Sequence, residues 1–347
     1  MNDLAPLSVE TKNPPSARPA RPCAVGLDIG HSAVKICWQQ TSQVEKSIFP
    51  SAVSPAVVLS DYETARRAAG ETVSISGTNY FYGETAVVQA GQSAPTGLVA
   101  NWVKTNEYKV LCAAVADRLE RAGVSLKNAV VVCGLPSSQV QSQSDGLREL
   151  MLAIFPHAEI KIFPQPMGAY AYHRFNERGL PSKNIGEGEA WGVIDVGRYS
   201  TDYLLVIAGN VVERVSNSSS GTRVVADFLR EVLRRTRQID DVTPQECEEI
   251  IATGSLMSFG KRISVSREID EAVGLASGEL IDAASRLLGQ DARRMSGLVV
   301  AGGGATLFHS RIKAMFPHAI LCPEPRYAVA EGFRRIGAGI LYARSLN

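Results

Sequence analysis

Short apolar runs that end in polar, glycine-containing turns set the pattern of this chain. The first, Ala24-Val25-Gly26-Leu27-Asp28, ends at a carboxylate and enters a turn at Ile29-Gly30, after which a second run occupies residues 34–38. Apolar runs of this length bounded by turn residues read as buried strands, so the pair predicts a hairpin. Further strands are predicted at 73–76, 129–133 and 159–163, with helices at 108–122 and 146–155. Residues 164–174 read as a helix opened by a Pro-rich turn and built on Met167, Ala169, Ala171 and Tyr172. Strands alternating with helices give an α/β protein.

A polar stretch, 176–189, reads as a surface loop, and beyond it the opening pattern returns. Ala190-Trp191-Gly192-Val193-Ile194-Asp195 runs into Val196-Gly197-Arg198-Tyr199-Ser200 and then into an apolar run at 201–208. The repeat of design points to an internally duplicated fold. Helices are predicted at 222–237, 244–253 and 267–288. A strand at 298–301 stops at Gly302-Gly303-Gly304, and helices at 305–316 and 328–343 finish the chain.

At 347 residues the chain is about twice the length of a typical single domain of ~100–200 residues. It divides into a Pro-rich, mobile tail (1–22), a first domain (23–180, completed by 327–347) and a second (185–326). A net charge of +1 gives no whole-molecule attraction for nucleic acid or anionic lipid. Six scattered cysteines without a C-x-x-C pair fit neither a zinc site nor a disulfide scaffold, and read as buried, reduced residues. With no run of ~20 apolar residues and no signal-peptide core, the expected location is cytoplasmic, with no membrane contact.

Candidate chemistry gathers at the turns. Asp28 and Asp195 each end a buried strand, and each is followed two positions later by a glycine, Gly30 and Gly197. A carboxylate desolvated there needs a partner, and a hydrated divalent cation is a natural one. The glycines admit a phosphate close to the backbone, Lys35 supplies a cation, and Ser32, Ser200 and Thr201 supply hydroxyls and amides. Gly302, Gly303 and Gly304 leave room for a planar or phosphorylated ligand near a helix N-terminus. Taken alone, each hairpin is also readable as an ordinary Asp/Gly turn. Other phosphate motifs fail: Gly254 and Gly260-Lys261-Arg262 are one residue too far apart for a P-loop, and Arg stands where Ser or Thr is needed. The five histidines show no H-x-x-x-H pairing.

In order and spacing, the three elements resemble the actin superfamily of nucleotide-binding proteins. Asp28-Ile29-Gly30-His31-Ser32-Ala33-Val34-Lys35 is similar to its first phosphate motif, Asp195-Val196-Gly197-Arg198-Tyr199-Ser200-Thr201-Asp202 to its second, and Val299-Val300-Ala301-Gly302-Gly303-Gly304-Ala305 to its adenosine motif. Within it, Gly134-Leu135-Pro136-Ser137-Ser138, Phe163-Pro164-Gln165-Pro166-Met167-Gly168-Ala169 and Tyr327-Ala328-Val329-Ala330-Glu331-Gly332 resemble bacterial ParM/StbA-type plasmid segregation proteins.

The resemblance implies a two-domain, ribonuclease H-like duplicated fold with a nucleotide cleft between the domains. It implies ATP, or GTP, with Mg²⁺, hydrolysis coupled to polymerisation, and a DNA-bound adaptor of ParR type as partner. Direct nucleic-acid binding is not expected. On this resemblance Asp28 and Asp195 hold magnesium through water, Lys35 contacts phosphate, and Gln165 orients the attacking water. Gly30, His31, Ser32, Gly197, Arg198, Ser200 and Thr201 line the phosphates, and Gly302, Gly303 and Gly304 border the adenosine. His31, Arg198 and Tyr199 depart from the family's smaller residues.

Two alternatives share the fold: a small-molecule kinase, and a non-filamentous adaptor of PilM/FtsA type docking through a recognition segment. The C-terminal helix with Arg334, Arg335 and Arg344 is the candidate segment, although a core-packed helix with solvent-facing arginines explains the pattern better. Arg230, Arg234, Arg235 and Arg237 form a solvated helix end, or a docking surface for the adaptor or a neighbouring subunit.

Overall fold

A computed structural model describes residues 22–39, 43–90, 101–182 and 188–346. The predicted tail lies outside the described residues except for Pro22, as does part of the 176–189 loop.

The first half runs β1 (Ala24–Ile29), β2 (Ala33–Gln39), β3 (Val44–Pro50), β4 (Val53–Pro55), α1 (Tyr62–Ala69), β5 (Thr72–Ile75), β6 (Thr78–Tyr82), α2 (Gly83–Ala90), α3 (Asn106–Arg121), β7 (Val130–Leu135), α4 (Val140–Ile154), β8 (Glu159–Pro164) and α5 (Gln165–Arg174). The second runs β9 (Ala190–Val196), β10 (Ser200–Ile207), β11 (Asn210–Val211), β12 (Asn217–Ser220), α6 (Arg223–Arg237), α7 (Pro244–Thr253), β13 (Ser255–Ser258), β14 (Lys261–Ser264), α8 (Ser266–Leu288), β15 (Gly297–Ala301), α9 (Ala305–Met315), β16 (Ala319–Leu321) and α10 (Ala328–Ser345).

Two mixed sheets carry the architecture, ordered β3-β2-β1-β7-β8 and β11-β10-β9-β15-β16. In each, an antiparallel hairpin (β1–β2, β9–β10) is followed by two parallel strands (β7 and β8, β15 and β16) added beside the first hairpin strand. The halves are therefore duplicates, as the repeated hairpin predicts. Smaller sheets, β4-β6-β5 and β13-β14, stand apart from these two. Apolar side chains fill a core on the outer side of each sheet, Leu27, Val131 and Leu111 in one and Ile194, Leu229 and Leu280 in the other.

A third core lies between the sheets, where Val132, Ala169, Val193, Val299 and Phe333 meet. Helix α5 packs on β9 and β15 of the second sheet although it follows the first, and α10 packs on β1 and β7 of the first although it follows the second. The two helices cross at glycines: a Cβ on Gly332 would lie 1.7 Å from the Gly168 carbonyl oxygen, a contact no side chain can occupy. This crossing brings the ends of β1 and β9 to face each other.

Three features differ from the sequence expectations. Helix α4 begins at Val140, not at 146; the polar run Gln141 to Asp145 hides its start, although Gln143 within it is buried. Arg334 does not face solvent; it is fully buried, held by both Glu331 oxygens at 2.7 Å. Arg335 is also engaged, through Glu331 and the Tyr172 and Phe175 carbonyls. Among the described residues no helix is long and apolar enough to cross a membrane, and all six cysteines are buried and free.

Candidate nucleotide site

Asp28 lies near the end of β1 opposite Lys35 on β2, and the register turns that opposition into an ion pair of 2.9 Å on Oδ2. Its other oxygen accepts from Gln165 Nε2 at 3.2 Å, so α5 and β2 together aim one carboxylate. The turn is closed by Gly30 N–H donating to the Ala33 carbonyl. His31, in that turn, stacks on Trp102 at 4.8 Å and meets Tyr199 edge-on at 5.8 Å, so one aromatic contact bridges the two halves. Burial lowers the His31 pKa, favouring the neutral ring, and its Nε2 is buried without a partner.

The second hairpin places Asp195 opposite Asp202. Burial first, then Asp28 and Asp202, push the Asp195 pKa up to about 8, with Lys35 opposing. Two adjacent desolvated carboxylates without a cation are costly, which is what a divalent ion relieves. Asp202 is held differently: it accepts from Ser137 N–H at 2.9 Å, Ser200 Oγ at 2.9 Å and Ser218 Oγ at 2.7 Å. Burial nevertheless raises its pKa above the ordinary carboxylate range. The Ser137 bond ties the end of β7 to β10, across the cleft.

The third element follows β15. Gly302 has φ +91°, and a Cβ there would lie 2.4 Å from the Val196 carbonyl oxygen and 2.5 Å from Asp195 Oδ1, so glycine is required. Gly303 faces open space.

These elements enclose a cleft of about 570 Å³, open mouth included. Asp28, Gly30, His31, Ser32, Lys35, Gln165, Asp195, Gly197, Arg198, Ser200, Gly302 and Gly303 all line it. Thr201 and Gly304 do not. The Thr201 hydroxyl donates to the Ser220 carbonyl, because its side chain points to the opposite face of β10 from Ser200 and Asp202. Gly304 is a packing position, where a Cβ would lie 2.1 Å from Thr222. Asp202, Pro136, Pro325, Arg326 and Val329 also line the cleft, though no motif marks them as site residues in the sequence. Asp202 was accessible from the pattern, since it alternates with Ser200 on the strand that leaves the turn. Arg230, Arg235 and Arg237 are engaged within their own half, with the Val242 carbonyl, Glu271 and Glu268.

The residues fit a magnesium-bound nucleotide. The buried Nε2 of His31 and Nε of Arg198, two residues that line the cleft, are hydrogen-bonding groups without partners, and Gly303 leaves open space that a side chain would fill. Among the described residues no group of three or more His, Cys, Asp or Glu is placed to ligate a metal directly. The acidic pair therefore suits a cation that takes much of its shell from phosphate and water.

Comparison with known proteins agrees. The model for the N-terminal domain of actin-like proteins matches residues 26–168, and that for the C-terminal domain of archaeal MreB-like actin homologues matches 193–314. Between them they span both aspartate turns, and the chain belongs to the actin-like proteins, whose members are filament-forming ATPases.

Among solved structures, an archaeal actin homologue in complex with ADP is 18% identical, with a TM-score of 0.67 over 93% of this chain and 99% of that one. A ParM from a 15-stranded filament of Clostridium botulinum is 20% identical, with a TM-score of 0.70 over 91% and 99%. Bacillus thuringiensis ParM with ATP is 14% identical, with a TM-score of 0.63 over 94% and 100%. These likenesses establish a two-domain actin-like fold. No curated protein sequence matches the chain.

Proposed function

We propose that this chain binds ATP, or GTP, with Mg²⁺ between two domains (23–180 with 327–347, and 185–326), hydrolyses it, and polymerises in the triphosphate state. The observation that carries the proposal is the convergence on one cleft of two buried aspartate turns, a glycine cradle and Gln165 bonded to Asp28. Plasmid DNA segregation through a DNA-bound adaptor of ParR type is the role this reading supports best. The filament of the C. botulinum ParM supports self-association.

Magnesium, when bound, would neutralise charge on the terminal phosphates and polarise them toward attack. Asp28 and Asp195 would hold that ion through its water shell, and Lys35 would balance the phosphate side. Gln165 stands on the first turn of α5 with its amide at the Asp28 carboxylate, where it would orient a water molecule. Gly302 and Gly303 would admit the adenosine. Nucleotide closing two domains supplies the differential contact that assembly requires.

The adaptor alternative is weakened, because Arg334 and Arg335, two of the three arginines of its candidate segment, are engaged inside the molecule. Negative-stain microscopy with and without Mg-ATP and Mg-GTP, alongside phosphate release, tests the proposal. Filaments that need nucleotide support it, and their absence at high protein concentration with either nucleotide refutes it.

A further inference from the structure

Arg198 borders the cleft in the turn between β9 and β10, yet its guanidinium is claimed from outside that cleft. Nη2 lies 2.5 Å from Oε1 of Glu248 on α7, and Cζ sits 5.0 Å from the centre of the Tyr199 ring. Its Nε is buried and has no hydrogen-bond partner. Glu248 does not line the cleft. Burial raises the Glu248 pKa, and Arg198 is the foremost group drawing it back, ahead of Arg223. One cation with an unused donor therefore stands between a carboxylate on one side and a phosphate-sized space on the other.

We propose that Glu248 is a positioning residue that restrains Arg198, so that a terminal phosphate must compete with a carboxylate for one guanidinium and the pair sets the preference for triphosphate over diphosphate. The inference rests on the nucleotide reading given above. The terminal phosphate is the group that differs between the two ligands, so a restrained Arg198 taxes triphosphate binding alone. The backbone fixes the origin of the arm: the Arg198 carbonyl accepts from Arg223 N–H at 2.8 Å, and only the side chain needs to move.

The experiment measures binding of a non-hydrolysable triphosphate and of the diphosphate, both with magnesium, at protein concentrations too dilute for assembly. Glu248→Gln is expected to tighten the triphosphate by about fivefold, the scale of a partly exposed ion pair, and to leave the diphosphate unchanged. In an Arg198→Ala background the same substitution should change neither. Equal shifts for the two nucleotides, no shift, or the same gain without Arg198 each overturn the inference. If the unsubstituted chain binds neither nucleotide, the nucleotide site itself fails and the inference falls with it, a result distinct from binding without discrimination. Glu248→Ala, checked by thermal denaturation, gives the same reading should the Gln variant fold poorly.

Discussion

Gln165 Nε2 donates to Asp28 Oδ1 across 3.2 Å, which ties the first residue of α5 to the end of β1. The side chain is not a helix cap, since Pro164 holds that position without a side-chain bond. It is committed to the cleft.

Replacing Gln165 with Ala should slow phosphate release by on the order of 10²-fold while nucleotide-dependent assembly persists, so that filaments last longer. Stability should fall by about 1.5–3 kcal/mol through the lost hydrogen bond to a charged group, which makes stability alone uninformative. Phosphate release and light scattering followed together decide the matter. Normal release per polymerised subunit would reduce Gln165 to a structural contact.

Gly302 and Gly303 separate folding from binding. Gly302→Ala should destabilise the protein by about 1–3 kcal/mol, because the new Cβ meets Val196 and Asp195 at a positive φ. Gly303→Val should leave the melting temperature nearly unchanged, since nothing lies within 4 Å of its position, yet weaken nucleotide binding by tenfold or more. Thermal denaturation and calorimetry on the two variants check this. Unaltered binding in Gly303→Val would move the adenosine elsewhere.

The hairpins at Asp28 and Asp195 were legible because the first strand of each, central in its mixed sheet and buried along its length, is apolar until it stops abruptly at its turn. Of the β4-β6-β5 sheet only β5 was legible, as the strand expected at 73–76; β6 was not, because of its five residues only Phe81 and Tyr82 are buried, which leaves no alternating pattern to read. The tip of β13–β14 is similarly exposed at Phe259. Arg334 misled because a fully buried guanidinium looks, in sequence, like any other arginine on an amphipathic helix; only the tertiary placement of Glu331, Gln39 and the Glu177 carbonyl around it explains the burial. The Glu248 partner of Arg198 lies fifty residues away, with no motif joining the two.

Glu331 answers Arg334 with both oxygens and Arg335 with one. Glu331→Ala leaves a buried guanidinium unpaired, so unfolding in urea should show a loss of about 3–5 kcal/mol. Coupling it with Arg334→Met should recover part of that loss, because the uncompensated charge goes with it. A loss below 1 kcal/mol in the single variant would mean that Gln39 and the Glu177 carbonyl alone satisfy the arginine.

Asp195 is the group whose two possible roles pull stability and activity in opposite directions. Burial and the Asp28 and Asp202 carboxylates all act against its charge in the nucleotide-free protein. Asp195→Asn keeps the shape and removes the repulsion, so the nucleotide-free form should gain stability on the order of 1 kcal/mol, or roughly 1–2 °C in melting temperature for a chain of this size. Hydrolysis should fall by on the order of 10²-fold or more, and Mg-nucleotide should protect the variant from heat less than it protects the wild type, because the ion loses one of its two anchoring carboxylates. Thermal denaturation with and without Mg-nucleotide, together with phosphate release at high protein concentration, separates the outcomes. A more stable variant with undiminished turnover would leave Asp195 a strained bystander, whereas a less stable one would mean that the carboxylate makes a stabilising contact in the free protein.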